Sequence, residues 1–220
     1  MKQILLTGGS RGIGKVMAKL LRSQGYRVIT PTRGELDLNS IESVETFIIA
    51  NCHLKLYALI NNAGVNNPQW IEEIEKQNIT ETLNVNLISP ILLCKGFSSQ
   101  LKENKISHII NISSMFGVIS RGKQSLYTAS KFGIIGLTKA LALELAKYNI
   151  LVNSISPGFS ETDLTLRNTP EKNAELAKDV PLARFAKPWE IAHLISFLIS
   201  EKNTYITGEN IVIDGGYSCK

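Results

Sequence analysis

The sequence predicts an α/β domain: one doubly wound parallel sheet of about seven strands, flanked by helices on both faces. Three observations predict it. Short runs of β-type apolar residues alternate with longer stretches at helical spacing along all 220 residues, which is how a parallel sheet with right-handed crossovers is written. The strand runs are apolar without alternation, as in strands covered on both faces. The first strand also runs directly into a glycine-rich turn that opens a helix. No repeat, low-complexity segment or linker divides the chain, so residues 1–220 are expected to form a single domain.

The elements follow in order. Gln3–Thr7 is the first strand. A helix runs from about Gly12 to Gln24, with Ile13, Val16, Met17, Leu20 and Leu21 at helical spacing and Gly25 as its stop. Arg27–Thr30 is the second strand and Glu35–Leu38 a short third, followed by a helix over Ser40–Asn51 and a fourth strand, Leu56–Ile60. A long helix is expected near Ile79–Lys102, disturbed at Pro90, which has no N–H to give the Asn86 carbonyl. His108–Ser113 is the fifth strand, Ser125–Tyr148 a helix and Leu151–Ser156 the sixth strand. A polar excursion reaches about Val180, a helix spans Pro188–Ile199, and Asn210–Asp214 is the last strand.

Composition bounds the function classes. The chain is 44% apolar and 20% charged, with a net charge of +5. The Lys and Arg residues are scattered rather than gathered in a stripe, so a solvated basic surface is expected, with no nucleic-acid or membrane partner. Cys52, Cys94 and Cys219 match no metal-ligand spacing and stand apart from His53, His108 and His193, so neither a zinc site nor a disulfide framework is expected. The apolar start, Met1–Thr7, is too short for a signal peptide or membrane span, and a cytoplasmic location is expected.

In a parallel sheet, ligands bind beyond the carboxyl ends of the strands. The first strand ends in Thr7-Gly8-Gly9-Ser10-Arg11-Gly12-Ile13-Gly14. Gly8 permits the tight turn, Gly12 lets backbone approach a phosphate, and Gly14 lets helix pack on strand. The helix N-terminus then offers free N–H groups to a pyrophosphate. The absence of a Gly-Lys-Ser/Thr ending argues against a nucleoside-triphosphate loop. This spacing resembles that of the short-chain dehydrogenase/reductase family, a Rossmann-type fold, and the resemblance extends from Thr7 to Gly216.

The residues choose between nicotinamides. An acid at the end of the second strand would bind the ribose hydroxyls of NAD, whereas an arginine suits the 2′-phosphate of NADP. Here the strand runs Val28-Ile29-Thr30-Pro31-Thr32-Arg33, with Arg11 in the glycine turn. Guanidinium groups fork onto phosphates, so NADP(H) is expected over NAD(H). Asp37 and Leu38 resemble the family position that touches adenine. Asn61-Asn62-Ala63-Gly64 resembles the family segment lining the cofactor groove, with Asn61, Ala63 and Gly64 as cofactor contacts.

Tyr127 and Lys131 lie four residues apart on a helix and share a face. An ammonium, helped by an oxidised nicotinamide, is expected to lower the phenol pKa from about 10. The resemblance implies that Tyr127 is the acid/base, that Ser114 (with Ser113 as runner-up) holds the substrate oxygen, and that Lys131 binds the nicotinamide ribose. It also implies that Asn86 supports a proton relay through water. Pro157, Gly158 and Thr162 match the segment that meets the nicotinamide carboxamide. Gln124 resembles a substrate-side position of the 3-oxoacyl-(acyl-carrier-protein) reductases.

The resemblance thus implies an oxidoreductase that reduces a ketone or other carbonyl, with an acyl-carrier protein as a possible partner and a sugar or steroid equally open. Residues 159–180, with Arg167, Lys172 and Lys178, read as a substrate lid or as a plain surface excursion. Small and apolar residues on the Tyr127 helix, such as Gly133, Gly136 and Leu137, imply a homo-oligomer, a tetramer or dimer. Two rivals remain: an NAD-dependent alcohol dehydrogenase, which Arg33 opposes, and a non-catalytic NADP(H) sensor, which the presence of all four catalytic positions opposes.

Overall fold

Apolar side chains project from both faces of the central strands, and the sheet is covered on both sides in consequence. A computed structural model describes residues 1–162, 165 and 169–219. The strands are β1 (Gln3–Leu6), β2 (Arg27–Ile29), β3 (Leu56–Asn61), β4 (Ser107–Ile112), β5 (Ile150–Pro157) and β6 (Asn210–Ile213). All five pairings are parallel, in the order β2-β1-β3-β4-β5-β6.

The helices are α1 (Gly12–Ser23), α2 (Ile41–Ala50), α3 (Lys76–Leu83), α4 (Ser89–Lys102), α5 (Ser125–Leu145), α6 (Pro170–Lys178) and α7 (Pro188–Leu198). One sheet face sends Ile4, Leu6, Ala58 and Ile60 against Met17 and Leu21 of α1 and Ile191 and Ile195 of α7. The other sends Leu5, Leu59, Ile109 and Val152 against Phe47 of α2, Leu93 and Phe97 of α4, and Ala142 of α5. Successive residues of one strand thus serve opposite layers. Truncating one of these fully buried side chains to alanine costs about 2–5 kcal/mol.

The sheet has six strands rather than seven. Glu35–Leu38 alternates like a strand but folds as a turn. The Leu36 N–H donates to the Thr32 carbonyl (3.0 Å), and the Glu35 carboxylate accepts from both the Thr32 N–H (2.7 Å) and its hydroxyl (2.9 Å). Leu36 is buried as an anchor of the turn. The backbone groups that a third strand would need are already committed locally.

The expected long helix over Ile79–Lys102 is also divided. Between α3 and α4, residues Asn84–Ile88 form a π turn, in which the Ser89 N–H donates to the Asn84 carbonyl. Pro90 sits in the first turn of α4, where its missing N–H costs nothing. The extra residue of the π turn realigns the chain ahead of the proline. In the polar excursion the structure adds α6, whose N-cap Thr169 accepts from the Lys172 N–H. Arg167 lies outside the described residues.

Chain order reverses between β1 and β3: β1 leads outward to β2, and the chain then returns to the other side of β1. That is a topological switch point, where helices diverge and leave a crevice beyond the strand ends.

Candidate active site

The crevice is a cleft of about 780 Å³ that runs from Gly8 and Arg33 at one end to Ser114, Tyr127 and Phe159 at the other. Its floor is set by hydrogen bonds between strand ends. The Thr7 hydroxyl accepts from the N–H groups of Asn62 (3.0 Å) and Ala63 (3.1 Å). The Asn62 amide returns bonds to the carbonyls of Thr7 (3.0 Å) and Gly8 (3.1 Å). Gly8 has φ +68° and Gly12 φ +52°, conformations that favour glycine. A Cβ on Gly14 would collide with the Gly8 carbonyl oxygen.

The first turn of α1 has no side-chain cap and no acid, since its N-cap is Arg11. Its N–H groups therefore remain available to an anion. Thr162 stands opposite, 3.5 Å from where a Cβ of Gly12 would be. This uncapped helix end, the close-packed glycines and the size of the cleft together fit a dinucleotide. At the far rim Arg33 is 75% exposed, and its Nε lies 3.6 Å from Asp37 Oδ1.

Ser114, Tyr127 and Lys131 come together where β4 meets α5. Ser114 ends the strand connection and caps the short turn Met115–Gly117, its hydroxyl accepting from the Phe116 N–H (3.1 Å). It lines the same cleft as Tyr127, close enough for its hydroxyl to lower the phenol pKa. Lys131 is buried below, its Nζ 5.6 Å from the centre of the Tyr127 ring and donating to the Ile112 carbonyl (2.8 Å). Ser113 points elsewhere: its hydroxyl donates to the Lys131 carbonyl (3.0 Å) and steadies α5.

Burial raises the Tyr127 pKa, and the Ser114 hydroxyl offsets part of that rise. Burial lowers Lys131 to about 8. The lowered phenol pKa expected from sequence is therefore not found in the protein alone. Desolvation dominates both groups.

Four expected contacts sit behind the cleft rather than on its surface. Thr7 is buried and acts on the cleft through Asn62 and Ala63. Asn61 is buried between strands, donating to Asn111 Oδ1 (2.8 Å). Gln124 is 1% exposed at the start of α5, its side-chain Oε1 without a hydrogen-bond partner among the described residues. Asn86 accepts from the Val65 N–H (2.9 Å) and donates to the Val65 carbonyl (2.9 Å) and Ser130 Oγ (3.1 Å). A Cβ on Gly64 would stand 3.4 Å from both Asn86 Oδ1 and Lys131 Nζ, so these groups converge behind the same loop.

The other expected residues line the cleft: Gly8, Ser10, Arg11, Gly12, Ile13, Gly14, Arg33, Asp37, Leu38, Ala63, Gly64, Ser114, Tyr127, Lys131, Pro157, Gly158 and Thr162. Phe159, first residue of the expected lid, also lines it, and so do Asn62, Val85, Phe116 and Arg121, which sequence reasoning did not single out. Asn62 was visible as the partner of Asn61. Nothing local marked the others. Among the described residues no group of three or more His, Cys, Asp and Glu could hold a metal, and no helix is long and apolar enough to cross a membrane.

Comparison with known proteins agrees with this geometry. A family profile described as enoyl-(acyl carrier protein) reductase matches residues 35–218. The 3-oxoacyl-(acyl-carrier-protein) reductase of Aquifex aeolicus is 36% identical, covering 98% of this chain and 96% of its own. The reductase of the same name from Rickettsia conorii is 32% identical over the same shares. A solved structure of a 4-hydroxyisoleucine dehydrogenase mutant complexed with NADH and succinate superposes with a TM-score of 0.94 at 29% identity, covering 100% of this chain and 99% of that one.

Proposed function

The chain belongs to the short-chain dehydrogenase/reductase family, in its 3-oxoacyl-(acyl-carrier-protein) reductase-like branch, and from that premise we propose that it reduces a ketone with NADPH, Tyr127 giving the proton. That it is an NAD(P)-dependent oxidoreductase follows from membership. The choice of NADP(H), the direction and the residue roles are our reading.

One observation carries it: two hydroxyl-bearing side chains, Ser114 and Tyr127, share a cleft with an uncapped helix N-terminus, and a buried amine lies beneath the phenol. The α1 N-terminus and Ser10, Arg11, Gly12 and Ile13 would hold the pyrophosphate, Arg33 the 2′-phosphate, Asp37 and Leu38 the adenine, and Lys131 the nicotinamide ribose. Pro157, Gly158 and Thr162 would meet the carboxamide. A bound nicotinamide supplies the hydride.

The protein supplies the rest. Because the Tyr127 pKa is raised, the phenol keeps its proton near neutral pH and acts as a donor toward a developing alkoxide. Ser114 already accepts from the Phe116 N–H, which leaves its own O–H free to hold the same oxygen. Lys131 is charged below about 8 and stabilises the phenolate left after transfer. Asn86 positions Val65 and Ser130, and its place behind Gly64 and Lys131 supports a role in returning the proton through water.

The names of the relatives support a 3-oxoacyl thioester and an acyl-carrier protein as partner. NADH in the solved neighbour keeps an NAD-dependent alcohol dehydrogenase as the second reading. Phe132, 48% exposed, and Leu143, 84% exposed, both on α5, support a homo-oligomer. Three free cysteines support a cytoplasmic location.

The test is NADPH oxidation, followed optically, against ketones and acyl thioesters. Tyr127→Phe is expected to abolish turnover and leave NADPH affinity nearly intact. Arg33→Asp is expected to move preference toward NADH. Full activity in Tyr127→Phe would refute the proton assignment.

A further inference from the structure

Arg121 lies in the turn before α5, six positions ahead of Tyr127. Its side chain lines the cleft, beside the Phe116 whose N–H bonds Ser114. The guanidinium sits 5.0 Å from the ring centre of Phe116 and 5.9 Å from that of Phe159. Both rings are held in turn. Phe116 is buried, its N–H bonded to Ser114 Oγ, and Phe159 packs on Phe185 (5.4 Å) and Tyr217 (5.5 Å). A planar cation fixed by two aromatic neighbours keeps its N–H fork free for a partner.

Among the described residues no carboxylate pairs with Arg121. On the segment 184–187, which bonds Phe159 through the Ala186 N–H, Arg184 pairs with Glu190 (2.8 Å) and Lys187 with Glu161 (2.6 Å). Of the other cleft cations, Arg11 sits in the glycine turn at the N-cap of α1, Arg33 faces Asp37, and Lys131 is buried against the Ile112 carbonyl. Arg121 is therefore an unpaired, pre-oriented cation beside the hydroxyls that would receive the carbonyl.

We propose that Arg121 is a substrate-specificity residue that selects carbonyl substrates bearing a carboxylate or phosphate group. This rests on the reductase reading above and extends it from any ketone to an anionic one. The group recognised has oxygens that a guanidinium grips in pairs. It reaches the site either as the acid end of a short oxo acid or as the phosphate of a pantetheine arm carrying an oxoacyl thioester. The carbonyl is oriented from both ends, at its oxygen by Ser114 and Tyr127 and at its anionic group by Arg121.

The experiment measures kcat/KM with NADPH for two matched pairs: a short 3-oxo acid against its methyl ester, and a 3-oxoacyl 4′-phosphopantetheine against the same thioester lacking the phosphate. Wild type, Arg121→Gln and Arg121→Lys are compared. Arg121 is exposed, and an unchanged melting temperature confirms that the Gln variant folds. In at least one pair the wild type should favour the anionic member by about tenfold or more, as expected for a charge-assisted contact near solvent. Arg121→Gln should reduce that preference below about threefold with the neutral member unchanged, and Arg121→Lys should keep part of it. The pair that responds identifies the source of the anion. Equal use of both members by the wild type, a preference that survives Arg121→Gln, or equal loss on neutral and anionic substrates would overturn the proposal. Turnover of none of the four by the wild type would instead overturn the reductase reading on which it stands.

Discussion

Replacing Asn86 with alanine tests whether one side chain holds a wall of the cleft. Asn86 is 2% exposed. It accepts from the Val65 N–H and donates to the Val65 carbonyl and Ser130 Oγ, at 2.9, 2.9 and 3.1 Å. Each such bond contributes about 1 kcal/mol net, and a buried group left unpaired costs more. Val65 is partly exposed and can regain water, so the sum is about 3 kcal/mol. Against a total stability of about 5–15 kcal/mol, that is a large fraction. Urea unfolding followed by far-UV circular dichroism reads the change as a lower midpoint at constant slope. Because Val65 continues the loop of Ala63 and Gly64, NADPH affinity should fall about tenfold in a titration of protein fluorescence. Asn86→Asp keeps the acceptor for the Val65 N–H but loses both donated bonds, and should fall between wild type and alanine. A midpoint shift worth less than about 0.5 kcal/mol, with NADPH affinity unchanged, would refute the assignment of loop positioning to this side chain.

Three further outcomes follow from buried groups. Lys131→Met should abolish turnover yet raise stability at pH 7 by about 1–2 kcal/mol, since the folded state holds this amine at about 8 and a charge is buried; a lower melting temperature would contradict this. His108 is buried beside the Tyr57 hydroxyl (3.1 Å), and burial, with a smaller effect of Lys2, lowers its pKa to about 4. The unfolded chain therefore binds a proton between about 4 and 6.5 that the folded chain does not, so stability should fall as pH drops through that window. His108→Gln should flatten the stability profile there, and an unchanged slope would exclude His108 as its source. Gly14→Ala drives a Cβ onto the Gly8 backbone and the Asn62 amide, and should cost about 3 kcal/mol together with NADPH binding, as read by thermal shift with and without NADPH.

Much of the architecture was legible because its signals are local. Unbroken apolar runs such as Ile4-Leu5-Leu6 and Leu59-Ile60 marked strands covered on both sides, and both faces are buried. The glycine turn was legible because Gly8 and Gly12 carry positive φ. Where a short strand was expected, at Glu35–Leu38, side-chain capping by Glu35 took the backbone first. Pro90 signalled a disturbance correctly, but its form is a π turn upstream rather than a kink.

By itself the sequence determined the alternation of strands and helices, the backbone shape of the glycine turn, and the shared face of Tyr127 and Lys131, because each depends on residues a few positions apart. The tertiary structure decided which neighbours of those residues reach the cleft. Thr7 and Asn61 turn inward to bond adjoining strand ends, Gln124 is enclosed, and Arg121, which carries no local signature, is held at the rim by two phenylalanines. It also decided the proton affinities: the ammonium placed near the phenol by helical spacing is itself desolvated, and burial sets the direction of both shifts. Spacing along a chain sets direction on one element, whereas burial and contact are set by whichever elements pack around it.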